Sequence, residues 1–363
     1  MDLKGEDMLT VVTVEDLIAK GFKVYSFSKL GTFNNCQYEY YNTYILKNKG
    51  IENCYTLLGS TIHNGIELIY SGEQNEDTFK NKYYNKLTEL ELLGINFPND
   101  KIKASWVADV NHFYENFKKM DKKMLLEKHI IFEISDGIWM QGYIDSISPS
   151  ELGKPYIDIL DWKTSSKFTG KKLTEAGRQL LMYKVGLEST SNFKVNKVAW
   201  FMIKYIYVCS NGKSKVKKKM CNRGKWVKEM RDSLEKDLLK LQMETFEIEL
   251  LLDKAVQDNN INCLPNEVRG KYWLEDCIVE YEITEERINE FKEYIIDTIK
   301  EIESKNIEEE SEWIAVEIDS KNSFYCSVLC GHRKTCKYYK QYLDENANKF
   351  DKKTKKDGFD LFS

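Results

Sequence analysis

The sequence predicts an α/β fold in which a central sheet is wrapped by helices, with helical insertions in its N-terminal half. Residues 129–149 alternate apolar and polar side chains around Asp136-Gly137, a pair typical of a hairpin turn. A helically periodic stretch, residues 172–189, then separates two further strand-like segments. Most of the remaining chain has helical periodicity, and this order of elements favours a sheet covered by helices.

The N-terminal part is predicted to be mainly helical. Three helices are expected before residue 73, over residues 13–20, about 27–47 and 56–72. Thr13 is a typical N-cap, Ser26 or Ser28 begins the second helix after a brief strand, Gly21 follows the first helix, and the third ends near Gly72. The charged residues 76–128 then predict a helical insertion.

Strands and helices alternate further along the chain. After the hairpin, strands are expected over residues 156–166 and 195–208, and helices over 172–189, 225–257 and 284–306. The turn pair Asn211-Gly212 leads from the second of these strands into a lysine-rich segment. Thr284 is the expected N-cap of the last helix, with two glutamates in its first turn.

The predicted elements divide the chain into four regions. These are an N-terminal helical region (residues 1–130), an α/β core (131–225), a helical C-terminal region (226–340) and a flexible charged tail (341–363). The tail is polar and rich in lysine until its last residues.

Composition excludes several classes of protein. Hydrophobic residues make up 42% of the 363-residue chain and aromatic residues 13%, so we expect a folded protein with a sizeable core. No stretch has the length and apolar purity of a membrane span, and the charged N-terminus lacks the apolar region of a secretory signal. We therefore expect a cytoplasmic protein, in which the nine cysteines are reduced thiols or metal ligands.

Polar residues at the ends of two predicted strands are candidates for a catalytic site. Asp161 and Lys163 share one face of the strand formed by residues 156–166, and Asp145 ends the strand before it. If these strands pair, two carboxylates converge beside an ammonium group, a set that suits Mg²⁺ or Mn²⁺. A surface ion pair between Asp161 and Lys163 explains that pair equally well when it is taken alone. Asp158 points to the opposite face.

Several short motifs occur in a fixed order along residues 25–210. They are SFSKLGTFNNCQYEYYNTYI, Gly59-Ser-Thr-Ile-His63, Gly142-Tyr-Ile-Asp145, Asp161-Trp-Lys163 and Gln179-Leu-Leu-Met-Tyr183. This succession resembles the PD-(D/E)xK nuclease superfamily and, within it, the RecB-like nucleases of the AddAB and CRISPR-adaptation type. The resemblance implies a restriction-endonuclease-like fold, with a mixed central sheet flanked by helices.

The resemblance also implies a role for each matched residue. Asp145 and Asp161 would hold Mg²⁺ or Mn²⁺, with His63 and the main-chain carbonyl of Trp162 as further ligands. Lys163 would be the catalytic lysine. Gln179 and Tyr183 share a helix face and would reach the DNA or the catalytic strand. Glu133 is a weaker candidate for an additional acid. The structural alternatives are that His63 is a packed or surface histidine and that Tyr183 belongs to the core.

A cysteine cluster near the C-terminus extends the resemblance. Cys326, Cys330 and Cys336 lie in CSVLCGHRKTC, and Cys36 lies early in the chain, where the iron–sulfur branch of the family has its first ligand. The resemblance implies a [4Fe–4S] cluster on these four residues, although Cys-x3-Cys replaces the family's Cys-x2-Cys. Zinc or three unliganded thiols are the alternatives.

Basic and apolar segments suggest partners. The candidate phosphate-binding residues lie in the turn after Asn211-Gly212, and are Lys213, Lys215, Lys217, Lys218 and Lys219. They would contact DNA without reading its sequence, or they form a solvated turn. The C-terminal GFDLFS resembles a sliding-clamp peptide with Phe359, Leu361 and Phe362 as anchors; its alternative is an end that packs on the domain or frays.

The function expected from the sequence is a metal-dependent DNA nuclease. The resemblance favours an exonuclease, or an enzyme acting on flaps and single strands, in replication, recombination or repair. The chain has no helicase motif, so unwinding would belong to a helicase partner. The rival interpretations are a non-cleaving nucleic-acid-binding subunit and a scaffold that recruits partners through its tail.

Overall fold

Seven strands form one sheet in the computed structural model, which describes residues 12–212 and 214–357, with side chains up to residue 347. The strands are β1 (Val24–Ser26), β2 (Leu125–Ser135), β3 (Ile138–Pro149), β4 (Tyr156–Lys163), β5 (Lys194–Asn211), β6 (Val216–Asn222) and β7 (Tyr272–Tyr281). The pairs β1–β3 and β4–β5 are parallel and the others are antiparallel. The predicted mixed sheet is therefore confirmed.

Helices flank this sheet. They are α1 (Val14–Ala19), α2 (Phe27–Asn35), α3 (Gln37–Tyr40), α4 (Cys54–Ser71), α5 (Glu76–Leu92), α6 (Asp100–Asn116), α7 (Lys171–Thr190), α8 (Trp226–Leu239), α9 (Thr245–Asp258), α10 (Asn266–Arg269), α11 (Glu285–Ser304) and α12 (Lys337–Asp357). Single π-helical turns occur at Tyr41–Ile45 and Tyr325–Leu329. None of the helices within the described ranges is long and apolar enough to cross a membrane.

Two apolar clusters cover opposite faces of the sheet. One contains Ile157 and Ile159 of β4 together with buried residues of α2, α7 and α11. The other contains Trp162 of β4 with buried residues of α4, α5 and α6. Alternation along β4 thus places neighbouring residues in different layers, as the sequence predicted. A third cluster joins α8 and α9 to the far end of β5 and to β6.

Local sequence signals predicted several helix ends correctly. Thr13 forms a capping box with Asp16, and the Thr284 side chain accepts a hydrogen bond from the main-chain N–H of Arg287. Ser26 rather than Ser28 caps α2. Gly72 ends α4 with a φ of 83°, a conformation that favours glycine because it lacks a Cβ.

Other predicted elements differ from the structure. The expected helix over residues 27–47 is broken at Cys36, whose backbone is extended with a φ of −162°. Residues 225–257 form two helices, α8 and α9. Strand β7 was not predicted, because its several acidic residues obscure the alternation; it lies beside β5 through an antiparallel ladder. The segment from residue 341, predicted to be a flexible tail, is helical as far as Asp357.

The predicted clamp-binding residues Phe359, Leu361 and Phe362 lie outside the described residues. Lys213 of the basic segment also lies outside them. Their proposed contacts stay predictions.

Candidate active site

Asp161 and Lys163 lie at the C-terminal end of β4, on the face covered by α7. The Asp161 side chain is only 1% exposed, and its Oδ2 lies 2.7 Å from the Lys163 ammonium nitrogen. Apart from this lysine, Oδ2 of Asp161 has no hydrogen-bond donor among the described residues. Burial raises the pKa of Asp161 to about 6, which Lys163 opposes and the nearby Asp145 reinforces. This carboxylate is therefore buried, and the Lys163 ammonium is its charged partner.

Asp145 reaches the same place from β3. The β3–β4 ladder pairs Ser146 with Leu160, so the next step of this register brings Asp145 beside Asp161. Oδ2 of Asp145 accepts a hydrogen bond of 2.7 Å from the main-chain N–H of Trp162. Burial raises the pKa of Asp145, against the opposing effects of Lys163 and this hydrogen bond. The two predicted acids are thus brought together.

His63 approaches this pair from α4. Its Nδ1 lies 3.6 Å from Oδ2 of Asp145. Burial lowers the pKa of His63 to about 4, so the imidazole is neutral at neutral pH, the form that binds metal ions. One turn earlier in α4, a Cβ on Gly59 would lie 3.0 Å from Oγ1 of Thr164, so a larger residue here would crowd the loop after β4. The glycine permits α4 to approach β4 closely.

Gln179 and Tyr183 extend the site along α7. The Lys163 ammonium donates a hydrogen bond of 2.9 Å to Oε1 of Gln179. The Nε2 of Gln179 donates a second one, also of 2.9 Å, to the Tyr183 hydroxyl. Burial raises the pKa of Tyr183, which keeps the hydroxyl protonated. A continuous chain of polar contacts therefore runs from Asp161 through Lys163 and Gln179 to Tyr183.

Glu127 is a site residue that the sequence did not reveal. It lies in β2 between Leu126, which pairs with Ser146, and Lys128, which pairs with Ile144, and so stands across from Asp145. Burial, followed by the charges of Asp145 and Glu67, raises the pKa of Glu127 to about 7. Three carboxylates on neighbouring strands therefore lie at one level of the sheet.

Only the strand register could have revealed Glu127. A bulge between Glu133 and Ser135 shifts the β2–β3 pairing by one residue, and this shift aligns Glu127 with Asp145. Glu133, the weaker candidate named from the sequence, instead accepts a hydrogen bond from the main-chain N–H of Gly137. It caps the hairpin turn at the other end of the strand.

An open cleft of about 450 Å³ gives access to this end of the sheet. His63, Glu67, Glu127 and Lys163 contribute to its wall. Glu67 follows His63 by one helical turn, so both belong to one side of α4. Two glutamates and one ammonium lie in the cleft wall, whereas Asp145 and Asp161 do not contribute to it. The acidic groups of the wall suit a bound cation rather than an anion.

The donor set fits a hard divalent cation. Across the described side chains, no three His, Cys, Asp or Glu residues are already arranged to hold a metal ion. Mg²⁺, however, commonly takes only one or two carboxylates and completes its sphere with water and substrate phosphate. Asp161 and Asp145 supply such a pair, and the repulsion between their two negative charges is what a bound cation would offset.

The predicted basic segment lies farther along the sheet. Met202 pairs with Lys163, whereas the hairpin end of β5 pairs Ser210 with Lys217. Eight residues of strand place these lysines about 26 Å from the catalytic end. Lys218 forms an ion pair with Glu275, and Lys219 donates a hydrogen bond to the main-chain oxygen of Glu229. Lys215 and Lys217 are exposed.

The four predicted cluster cysteines share one small pocket. Cys36, Cys326, Cys330 and Cys336 all contribute to its lining, together with the buried Glu39. Burial raises the pKa of Cys326 to about 11, and the charges of Cys36 and Cys336 add to this rise, as expected for neighbouring thiols. The other five cysteines line no part of this pocket. The thiols are not yet arranged as metal ligands within the described side chains.

Hydrogen bonds connect residues 326–336, here called the cysteine loop, to the start of α4, the helix that carries His63. The N–H of Ile51 donates a hydrogen bond of 2.8 Å to the carbonyl oxygen of Gly331. The side chain of Asn53, the N-cap of α4, donates one of 3.2 Å to the carbonyl oxygen of Leu329. Arg333 donates to the carbonyl oxygens of Ile51 and Glu52. The cysteine loop is therefore attached to the start of α4.

Paired acidic residues and an Asp-x-Lys element at one end of a mixed, helix-flanked sheet define the class of restriction-endonuclease-like proteins. The model of the PD-(D/E)XK nuclease superfamily matches residues 24–337, and the chain belongs to this superfamily. Its members are generally nucleases that use Mg²⁺ or Mn²⁺, although some are inactive. A comparison with curated proteins finds no match.

Proposed function

We propose that this protein is a metal-dependent deoxyribonuclease that hydrolyses phosphodiester bonds at the end of β4. The observation that carries this proposal is the convergence of Asp145 and Asp161 with Lys163, which holds an ammonium 2.7 Å from a buried carboxylate. A non-cleaving member of the superfamily has no need for this costly arrangement, because burying two carboxylates side by side costs free energy even with an ammonium beside them.

Each residue has a distinct task in the proposed reaction. Asp145, Asp161 and the neutral His63 would hold Mg²⁺ or Mn²⁺, which when bound would lower the pKa of a coordinated water and polarise the phosphate. Lys163 stabilises negative charge that develops on the phosphate and orients the attacking water. Gln179 holds the Lys163 ammonium in place through its Oε1. The main-chain carbonyl of Trp162 is a further candidate ligand.

The substrate is proposed to be a DNA end, flap or single strand, in replication, recombination or repair. The open cleft exposes the site to a strand without enclosing it. Exposed Lys215 and Lys217 at the distant hairpin could contact the backbone of the same substrate without reading its sequence. These tasks follow the RecB-like branch that the motif order resembles, and a helicase partner would supply any unwinding.

We also propose that Cys36, Cys326, Cys330 and Cys336 bind a [4Fe–4S] cluster, with zinc as the alternative. Their shared pocket supports this proposal, since it brings together residues from opposite ends of the chain. Ligation requires the thiols to turn toward a common point, and would lower their raised pKa values as they become thiolates. Such a cluster would stabilise the contacts between the cysteine loop and α4.

A cleavage assay tests the proposed activity. The full chain is incubated with labelled single-stranded, double-stranded and flapped DNA in Mg²⁺ or Mn²⁺, and products are resolved by length. We expect cleavage that EDTA stops and added metal restores. Single-stranded RNA of matched sequence serves as the comparison substrate. Binding without cleavage of any DNA, in either metal, would instead favour the non-cleaving subunit.

Replacing Tyr183 by phenylalanine should slow cleavage about tenfold. The change removes the hydroxyl that accepts a hydrogen bond from Gln179, so the amide that positions Lys163 becomes less constrained. Single-turnover rates at saturating metal measure the effect. The metal concentration for half-maximal rate should not change, since Tyr183 is not a ligand. Tyr143→Phe, at an exposed position of β3, is the control and should stay within about twofold of the wild type. Equal rates in all three proteins would remove Tyr183 from the site.

A further inference from the structure

An open groove of about 520 Å³ lies at the end of β5 that is far from the proposed catalytic cleft. Its wall is formed by the last residues of β5, by β6, by the C-terminal half of α8 and by the start of β7. None of its lining residues also lines the catalytic cleft. We call it the basic groove, because four lysines line it: Lys217, Lys236, Lys240 and Lys271.

Helical spacing brings one set of polar residues to this groove. Ser233, Lys236 and Lys240 follow one another at intervals of three and four residues, the spacing of one helix face. Lys217 comes from the opposite wall, where the β5–β6 ladder pairs it with Ser210. Lys271 immediately precedes β7. Three separate segments of the chain therefore place their ammonium groups around one groove.

A single carboxylate holds two of these lysines in place. Asp237 is the only acidic residue among the described residues that line the groove. Its Oδ1 lies 2.6 Å from the Lys240 ammonium and 3.4 Å from the Lys271 ammonium. Its Oδ2 accepts a hydrogen bond of 2.9 Å from the Tyr272 hydroxyl. Asp237 therefore fixes two ammonium groups beside each other in the wall, and neutralises only one of their two charges.

The other two lysines carry charges that no acidic residue offsets. Lys217 and Lys236 are both exposed, and neither forms an ion pair with another side chain in the part of the chain that the structure describes. The groove therefore has a clear excess of positive charge, although the net charge of the whole chain is −4. Ammonium groups collected around one groove repel one another, and a bound anion offsets this repulsion.

The residue types in the wall favour phosphate groups over carboxylates. Lysine binds phosphate as a point charge, whereas a carboxylate is best matched by the planar fork of arginine, and no arginine occurs among the described lining residues. Ser210, Asn211 and Ser233 add hydroxyl and amide donors, which commonly contact phosphate oxygens in complexes with DNA. Lysine and serine are also depleted in protein–protein interfaces. The wall therefore suits a nucleic-acid backbone better than an acidic protein.

We propose that the basic groove binds successive phosphate groups of the DNA backbone, with Lys236, Lys240 and Lys271 acting together with Lys217 of the predicted basic segment. This inference rests on the proposed nuclease function. The groove holds DNA without reading its sequence, because phosphates are the same at every position. It lies about 26 Å from the catalytic end of the sheet, so DNA that occupies both sites must extend over at least about eight base pairs of a duplex.

The test measures binding of a labelled duplex to the full chain in EDTA, which prevents cleavage, over a series of salt concentrations. Counterion release makes the logarithm of the binding constant fall linearly with the logarithm of the salt concentration, with a slope of about 0.9 for each neutralised phosphate. Lys217→Gln and Lys236→Gln should each reduce this slope by about 0.9, and should weaken binding equally for unrelated DNA sequences. The double variant should reduce the slope by about 1.8. Neither change breaks an ion pair with a described residue, so both variants should remain folded, as circular dichroism can check.

Lys300→Gln is the matched control. It removes the same charge from an exposed position of α11, a helix that packs with α2 and α7 in a different apolar cluster from that of α8, and should leave the slope unchanged. Equal losses in all three single variants would indicate a general effect of net charge and would overturn the inference, as would unchanged slopes in the Lys217 and Lys236 variants. A polyglutamate peptide that binds the wild type more tightly than the duplex would assign the groove to an acidic protein instead.

Parallel cleavage assays separate the two proposals. A wild-type protein that cuts DNA, but whose salt slope does not depend on Lys217 and Lys236, keeps the nuclease function and loses the basic groove. A protein whose slope falls as expected in the variants, but which cuts no DNA, keeps the basic groove and loses the nuclease function. Failure of the wild type to bind any DNA overturns the basic groove.

Discussion

Replacing Asp161 by asparagine should reduce metal-dependent DNA cleavage by at least about a thousandfold. Asparagine has nearly the same shape but no negative charge, so the proposed cation loses one of two carboxylates and the Lys163 ammonium loses its ion-pair partner. The loss should appear in the single-turnover rate even at high metal concentration. Circular dichroism and thermal melting check that the variant remains folded.

Asp158→Asn is the matched control for this experiment. Asp158 lies on the same strand but on the opposite face, where its Oδ1 accepts a hydrogen bond of 3.2 Å from Asn196. Its replacement makes the same chemical change three residues away, and should leave cleavage within about twofold of the wild type. Equal activity of the Asp161 variant would show that β4 carries a structural ion pair only, and would refute the proposed site.

Replacing Cys36 by serine should remove a bound iron–sulfur cluster and lower the free energy of unfolding by about 3 kcal/mol or more. The affinity of a metal centre for the folded state contributes directly to folding. Cys36 lies where helix α2 is interrupted, and the other three cysteines come from the C-terminal part of the chain. Without the cluster, the segment that contains Cys36 and the segment that contains the other three cysteines would no longer be joined through a shared metal centre. Anaerobic purification, visible absorbance and iron and sulfide analysis measure the cluster, and chemical denaturation measures stability.

The cysteine experiment has its own control and a second expected effect. Cys263→Ser changes a half-buried thiol outside the pocket and should retain both colour and stability. Cys36→Ser should also slow cleavage, because the cysteine loop is hydrogen-bonded to Asn53 at the start of α4, which carries His63. Zinc without iron in the wild type would support the zinc alternative, and a metal-free wild type would exclude both.

Residue patterns predicted much of the candidate site. Alternation in residues 156–166 placed Asp161 and Lys163 on one face, and the helical spacing of Gln179 and Tyr183 placed them together, as the hydrogen bonds of Lys163 and Gln179 show. The role of each of these residues stays a prediction. Glu127 could not be found in this way, because its alignment with Asp145 depends on a bulge that no local preference specifies.

Other features also required the folded chain. Cys36 lies within a segment of helical periodicity, so no local signal predicts the helix break at this residue. In the folded chain the break lies beside the three distant cysteines. The apolar residues of β7 do not alternate regularly with its acidic ones, and its position is decided by its pairing with β5. The cavity of about 600 Å³ lined by α6, by the turn after α9 and by the start of β7 brings α6 beside segments that lie more than a hundred residues later in the sequence.

The sequence by itself determined the class of fold, the helix caps and the pair of strands on which the catalytic candidates lie, because these depend on side-chain alternation and on hydrogen bonds between near neighbours. The tertiary structure alone decided which carboxylates face each other and how the segment around Cys36 meets residues 326–336 at the cysteine pocket. These features depend on strand register and on long-range packing, which are set by the free energy of the whole core rather than by any short segment.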